Sequence, residues 1–155
     1  MRPSVDHPHV VCFPPLIYTI PLLISLITHV FFPWYFLKAP WPHLIGWPML
    51  ISGFLLAVWG KKTMEQAGTN VNPYHPTESI VTKGPFRFTR NPLYIALTLI
   101  YVSVAVIFNS LWPLAVLPAI LVVIHYGVIK QEEAYLERKF GAEYADYKSK
   151  VRRWI

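Results

Sequence analysis

The longest uncharged stretch of the chain, residues 91–129, decides what kind of fold the sequence can adopt. It reads NPLYIALTLIYVSVAVIFNSLWPLAVLPAILVVIHYGVI and contains no Asp, Glu, Lys or Arg in 39 residues. As one straight helix it would be about 58 Å long, nearly twice the ~30 Å hydrocarbon core of a bilayer. The segment must therefore fold back, and residues 109–113, NSLWP, have the composition of a turn. The stretch predicts a helical hairpin of two membrane spans, residues 92–109 and 112–129.

Two further apolar runs precede this hairpin. Residues 10–36 form the first, and prolines in its first half predict a kinked or irregular entry. Residues 43–60 form the second, which Lys61 and Lys62 are expected to end. Charged residues make up only 14% of the chain, against about 25% in an ordinary soluble domain. We therefore expect a single all-α integral membrane domain over residues 1–155, with four transmembrane helices.

The distribution of positive charge predicts the orientation in the membrane. Thirteen of the fourteen Lys and Arg residues lie in the loop at residues 61–91 or in the two tails, and Lys38 is the exception. Because basic residues are retained on the inner side of a membrane, both termini and this loop are expected in the cytoplasm. The net charge of +6 is explained by this topology, so it does not indicate nucleic-acid binding.

Both long cytoplasmic segments have features of functional regions. The loop at residues 61–91 is long for a compact helical protein, and its scattered aromatic residues argue against disorder. In the C-terminal segment, residues 130–155, large apolar side chains recur at helical spacing from Leu136 to Tyr147. This pattern predicts an amphipathic helix on the anionic inner leaflet. Four basic residues would face the lipid there: Lys148, Lys150, Arg152 and Arg153.

The sequence GPFRFTRNPLY, residues 84–94, places a helix start beside positive charge. Asn91 and Pro92 have the pattern of an N-cap followed by proline at the first helical position. A helix start presents free N–H groups and the positive end of the dipole, and Arg87 and Arg90 add charge there. The segment predicts an anion-binding position, although these arginines can equally serve only to anchor the chain.

Glu132 and Glu133 lie just past the end of the fourth predicted span. The two ends of a helical hairpin are adjacent, so a carboxylate is expected opposite the helix start at Asn91. Such a pair would suit a zwitterionic ligand, while the simpler interpretation is a solvated first helical turn. His125 lies seven residues before Glu132, which predicts that both occupy one helix face. It is a candidate proton acceptor or an interhelical hydrogen-bonding residue. No spacing of His, Cys or carboxylates resembles a metal site.

Two motifs carry a resemblance to a known family. GPFRFTRNPLY and EEAYLERKFGAEYADYKSKVRRW, residues 132–154, together resemble the isoprenylcysteine carboxyl methyltransferase and phospholipid methyltransferase superfamily. These are membrane enzymes that use S-adenosylmethionine (SAM), so the resemblance implies a cofactor pocket closed by the cytoplasmic loop and the C-terminal segment. The cofactor positions that it implies are Glu78, Ser79, Ile80, Val81, Phe86, Asn91, Pro92, Leu93, Tyr94 and Glu132.

The sequence departs from the prenylcysteine enzymes at three positions. Those enzymes have histidine where this chain has Glu78 and Asn91, and an arginine, implicated in holding the substrate carboxylate, where this chain has Val128. The Arg-Asn-Pro form is associated with the phospholipid-methylating enzymes and with short relatives of uncharacterised function.

The resulting hypothesis is a SAM-dependent methyltransferase that acts on a lipophilic substrate from the bilayer at the cytoplasmic face. Isoprenylcysteine carboxyl methyltransferase-like activity is one form, and phospholipid N-methyltransferase-type activity is the alternative. The candidate catalytic residues are His125, Arg90 and Glu133. A glutathione-dependent four-span enzyme and a non-catalytic membrane protein are the rivals, whereas a proton-coupled transporter would need a carboxylate within a span. The acceptor and the oligomeric state stay open.

Overall fold

A computed structural model describes residue 8, residues 10–72 and residues 74–154, and this part of the chain contains helices and no strands. Of the predicted N-terminal tail, residues 1–7 and residue 9 lie outside the described residues. The α-helices are α1 (Pro14–Phe31), α2 (Trp41–Gln66), α3 (Pro92–Ile107), α4 (Leu111–Ile124), α5 (Lys130–Phe140) and α6 (Ala142–Lys150). A short 3-10 helix occupies Gly84–Arg87, and a π-helical turn, His125–Ile129, joins α4 and α5 into one continuous helix.

Three of these helical segments are long and apolar enough to cross a membrane: α1, α2 and the continuous run Leu111–Phe140. The remaining apolar helix, α3, has 16 residues and is therefore about 24 Å long. The all-helical character of the fold agrees with the sequence, while the count of four complete spans stays a prediction.

The observed helix ends differ from the predicted spans. α1 begins at Pro14 rather than at residue 10, because proline fits the first helical turn, where its missing N–H costs no hydrogen bond. α2 continues past Lys61 and Lys62 to Gln66. Lysine is a good helix former, so its charge ends the apolar run without ending the helix. The C-terminal segment is not one amphipathic helix, because Gly141, at a φ of 53°, separates α5 from α6.

Helix α2 packs closely against α3 through glycines. Gly46, Gly53 and Gly60 recur every seventh residue on the buried side of α2. A Cβ atom at Gly53 would lie 2.8 Å from Ile100 Cγ1 and 3.2 Å from the Ile100 backbone nitrogen. Only glycine therefore permits this helix separation. On the other side of the bundle, α1 packs against α4 and α3.

The chain reverses between α3 and α4 at Asn109, as the turn composition predicts. Asn109 has a φ of 50°, a left-handed conformation that asparagine tolerates better than most residues. Its side chain accepts hydrogen bonds from the Phe36 and Leu37 amides and donates one to the Leu37 carbonyl. These bonds attach the α1–α2 connection to the hairpin. The opposite end, where α1 and α3 begin and α2 ends, is called the site end below.

Candidate functional site

The site end of the bundle contains a cavity of about 350 Å³. Its wall is assembled from the start of α1, the end of α2, the α2–α3 loop, the first turn of α3, and α5 and α6. This cavity is called the main cavity because most of the candidate residues line it, and it lies where the loop and the C-terminal segment meet the apolar helices.

Nine of the ten cofactor positions implied by the resemblance line the main cavity. The exception is Glu78, whose side chain is exposed and whose backbone N–H donates to Thr69 Oγ1 at 3.0 Å. The fold thus gathers positions that lie as far apart in the chain as Ser79 and Glu132. Their role in binding a cofactor stays a prediction.

Tyr94 and Glu132 join α3 to α5 beside this cavity. The Tyr94 hydroxyl donates a hydrogen bond of 2.7 Å to Glu132 Oε1, across 38 residues of sequence. Tyr94 is 9% exposed, so the bond is largely shielded from water. A carboxylate in this setting can accept further hydrogen bonds from a cationic ligand, and such bonds are strong because one partner is charged.

The second glutamate, Glu133, is held by two guanidinium groups. Arg153 donates from Nε to Glu133 Oε1 at 2.9 Å and from Nη2 to Oε2 at 2.7 Å. Arg90 Nη1 lies 3.0 Å from Oε1, and the Arg90 and Glu133 side chains are only 8% and 9% exposed. Hydrogen bonding to Glu133 raises the pKa of Arg153. Arg90 and Glu133, two of the three predicted catalytic residues, thus form one buried ionic cluster.

Two tyrosines of α6 surround the ionic cluster. Burial raises the pKa of Tyr144 to about 12, and the Glu133 charge acts in the same direction, so its hydroxyl stays protonated. Burial also raises the pKa of Tyr147, whose hydroxyl donates to the Phe86 carbonyl at 2.7 Å. Helix α6 is therefore attached by buried hydrogen bonding to the 3-10 helix that precedes α3.

His125 does not line the main cavity. It lines a second, mostly apolar cavity of about 540 Å³ between α3 and α4, which Trp154 also lines. The sequence predicts His125 and Glu132 on one helix face, but the π-helical turn between them changes the angular relation that α-helical spacing would give. The Gly127 carbonyl in this turn accepts the Val11 amide at 3.1 Å. The residues therefore line different cavities.

The first part of the α2–α3 loop supplies cavity residues that the sequence reasoning did not identify. Thr69, Asn70 and Asn72 line the main cavity. The loop is held by its own hydrogen bonds, from Asn70 Nδ2 to the Pro76 carbonyl at 3.0 Å and from Ser79 Oγ to the Ala67 carbonyl at 2.8 Å. The Asn- and Thr-rich composition of this part of the loop was the sequence feature that could have identified these residues. Among the residues that the structure describes, no group of three His, Cys, Asp or Glu side chains could hold a metal ion.

Comparison with known proteins bears on this cavity. Residues 41–143, about two thirds of the chain, match the family model described as phospholipid methyltransferase. This region includes α2, the loop, α3, α4 and α5. A curated protein of Haemophilus influenzae, described as uncharacterized, is 45% identical over 64 residues, which is 41% of this chain and 100% of that protein.

Proposed function

The chain belongs to the phospholipid methyltransferase family, and we propose that it transfers the methyl group of SAM to a lipophilic acceptor at the cytoplasmic face of a membrane. The family match and the three apolar helices support an integral membrane methyltransferase. The cofactor, the acceptor and the orientation form the proposal. The observation that carries it is the convergence of nine implied cofactor positions on the main cavity.

The residues around the main cavity fit SAM. Its amino group is a cationic hydrogen-bond donor, and Glu132 would supply the carboxylate that accepts from it. Its own carboxylate would suit the first turn of α3, since a helix start carries partial positive charge. Ile80, Val81 and Phe86 line the same cavity and would provide the apolar wall that an adenine ring requires. The cavity thus combines a carboxylate, a helix start and an apolar wall.

SAM supplies an electrophilic methyl group when it is bound, so the work of the protein is to position the acceptor and exclude water. Tyr94 holds Glu132 in place from α3, and the loop and α6 cover the cavity. Glu133 already accepts from Arg153 and contacts Arg90, and His125 lines the other cavity. Acid–base roles for these two residues therefore stay predictions, and we assign most of the catalysis to positioning and desolvation.

An acceptor from the bilayer is supported by the apolar side of the main cavity. Phe13, Pro14 at the start of α1, and Ala57 and Met64 from α2 line it. Both helices are long and apolar enough to cross a membrane. Lys61 also lines this cavity near the end of α2, where it would meet the phosphate of a lipid. The acceptor that these features favour is a phospholipid with an amine headgroup.

The departure at Val128 favours the same acceptor over a prenylcysteine carboxylate. Val128 has no exposed surface and packs within the hydrophobic core. The position at which prenylcysteine enzymes carry arginine is therefore filled here by an apolar side chain.

The test uses purified protein in nanodiscs with methyl-labelled SAM. Cofactor binding is compared between the wild type, Glu132→Gln and the control Glu143→Gln, an exposed glutamate on α6. We expect Glu132→Gln to weaken binding at least tenfold, because charged hydrogen bonds are lost, and the control to bind as the wild type does. Label in extracted phospholipid identifies the acceptor class, and label in a prenylcysteine analogue instead would reassign it. No binding by the folded wild-type protein would refute the proposal.

A further inference from the structure

The four residues after α6, Val151 to Trp154, lie along the start of α3 and are called the C-terminal clasp here. The Arg90 amide donates to the Arg152 carbonyl at 2.9 Å. The Arg153 carbonyl accepts from Thr89 Oγ1 at 3.1 Å and from Asn91 Nδ2 at 2.8 Å. Asn91 is 8% exposed, so its bond to the clasp is shielded from solvent. These contacts fix the clasp to the residues that open α3.

One side chain of the clasp lines the second cavity, and another contacts a residue in the wall of the main cavity. Arg153 forms two hydrogen bonds to Glu133, which lines the main cavity. Trp154 packs against the hydrophobic core and lines the second cavity. Arg152 is exposed, and its contribution to the clasp comes from its backbone carbonyl. Arg153 is thus directed inward, although its sequence context predicts contact with the lipid surface.

Holding Glu133 also determines the direction of Glu132. Consecutive helix residues point about 100° apart, so fixing the Glu133 side chain fixes the rotation of the first turn of α5. This turn follows directly after the π-helical turn, where the regular α-helical hydrogen bonding is interrupted. The pairing of Glu133 with Arg153 and Arg90 therefore keeps Glu132 within reach of the Tyr94 hydroxyl.

We propose that Arg153 is a positioning residue for the main cavity. Its side chain holds Glu133 and thereby orients Glu132, and its backbone carbonyl holds Asn91 and thereby positions the start of α3. The expected effect on ligand binding rests on the proposed function, because SAM is the ligand that Glu132 and the start of α3 would hold. It extends the site beyond residues 41–143, the part that matches the family model.

The first experiment measures the SAM dissociation constant of Arg153→Gln, Arg153→Lys and the neighbouring control Arg152→Gln in nanodiscs. We expect Arg153→Gln to raise the dissociation constant about tenfold, because two hydrogen bonds to a charged group are lost. Arg153→Lys should recover part of the affinity, since lysine supplies the charge without the bidentate geometry. Arg152→Gln should match the wild type. A dissociation constant for folded Arg153→Gln equal to that of the wild type would overturn the proposal.

A second experiment does not depend on the cofactor. Hydrogen exchange of the ligand-free protein should increase at residues 91–95 and 130–135 in Arg153→Gln relative to Arg152→Gln. Equal exchange in the two variants would also overturn the positioning role. If the two variants show this exchange difference but the folded wild-type protein does not bind SAM, the proposed function is refuted and the positioning role of Arg153 in the fold is kept. The folded fraction of each variant is measured alongside, so that a general loss of structure is not counted as weaker binding.

Discussion

Replacing Glu133 by glutamine tests whether the buried ionic cluster stabilises the fold as strongly as its geometry implies. The substitution keeps the side-chain shape but removes the negative charge between Arg90 and Arg153. The Arg90 and Glu133 side chains are 8% and 9% exposed, so the remaining positive charge of Arg90 would have little access to water. Removing one partner of a buried ion pair costs about 3–5 kcal/mol. Arg153 is 30% exposed and can be partly solvated, so we expect a value near the lower limit, about 3 kcal/mol.

The same helix offers a matched control. Glu137 lies one turn later on α5 and pairs with Lys148, with both side chains more than 40% exposed. An exposed ion pair of this kind contributes about 0–1 kcal/mol, so Glu137→Gln should have a small effect. The two variants therefore carry the same chemical change in a buried and an exposed environment.

Thermal unfolding in detergent measures the difference. A loss of 1 kcal/mol lowers the melting temperature by roughly 2–4 °C in a chain of this size, so Glu133→Gln should melt about 6–12 °C below the wild type. Glu137→Gln should stay within about 4 °C of it. Equal melting temperatures for the two variants would refute the reasoning. The double variant with Arg153→Gln should lose less than the sum of the two single losses, because both changes break the same contact.

Two further predictions concern α2. Gly53→Leu should destabilise the protein by about 3 kcal/mol, because the new side chain would occupy the position of Ile100. Ser52→Leu, at the exposed neighbouring position, should be tolerated. Equal melting temperatures for the two variants would contradict the close α2–α3 packing. Lys61→Gln should raise the KM for a phospholipid acceptor several-fold without changing the SAM dissociation constant, while Lys62→Gln, which does not line the cavity, should leave both unchanged. A KM unaffected by Lys61→Gln would argue against phosphate binding at this lysine.

Local features of the sequence were sufficient for the class of fold. The uncharged run at residues 91–129 is longer than a bilayer is thick, and the chain reverses at Asn109, within the predicted turn. The family resemblance, which rested on residues 84–94 and 132–154, is confirmed by the family match. Helix ends were less predictable. Lys61 and Lys62 end the apolar pattern, but the backbone hydrogen bonding of α2 continues to Gln66 because lysine does not disfavour a helix.

The separation of His125 from Glu132 could not be predicted from their spacing. Seven residues correspond to nearly two turns of an α-helix, and the prediction assumed that geometry throughout. The chain instead forms a π-helical turn at His125–Ile129, in which the Gly127 carbonyl accepts a hydrogen bond from the Val11 amide. This contact comes from a segment more than one hundred residues earlier, so no local pattern near His125 indicates it.

The sequence by itself determined the apolar helices, the hairpin and the motifs whose residues meet at the main cavity, because hydrophobic runs, turn residues and charges act over short stretches of chain. Only the tertiary structure decided which charges pair. Arg153 belongs by composition to a basic surface segment, yet it binds Glu133, 20 residues away, and its carbonyl accepts from Asn91, 62 residues away. Such pairing depends on how α6 docks against the start of α3. Buried charges require partners, and the packed fold decides which partners come within reach.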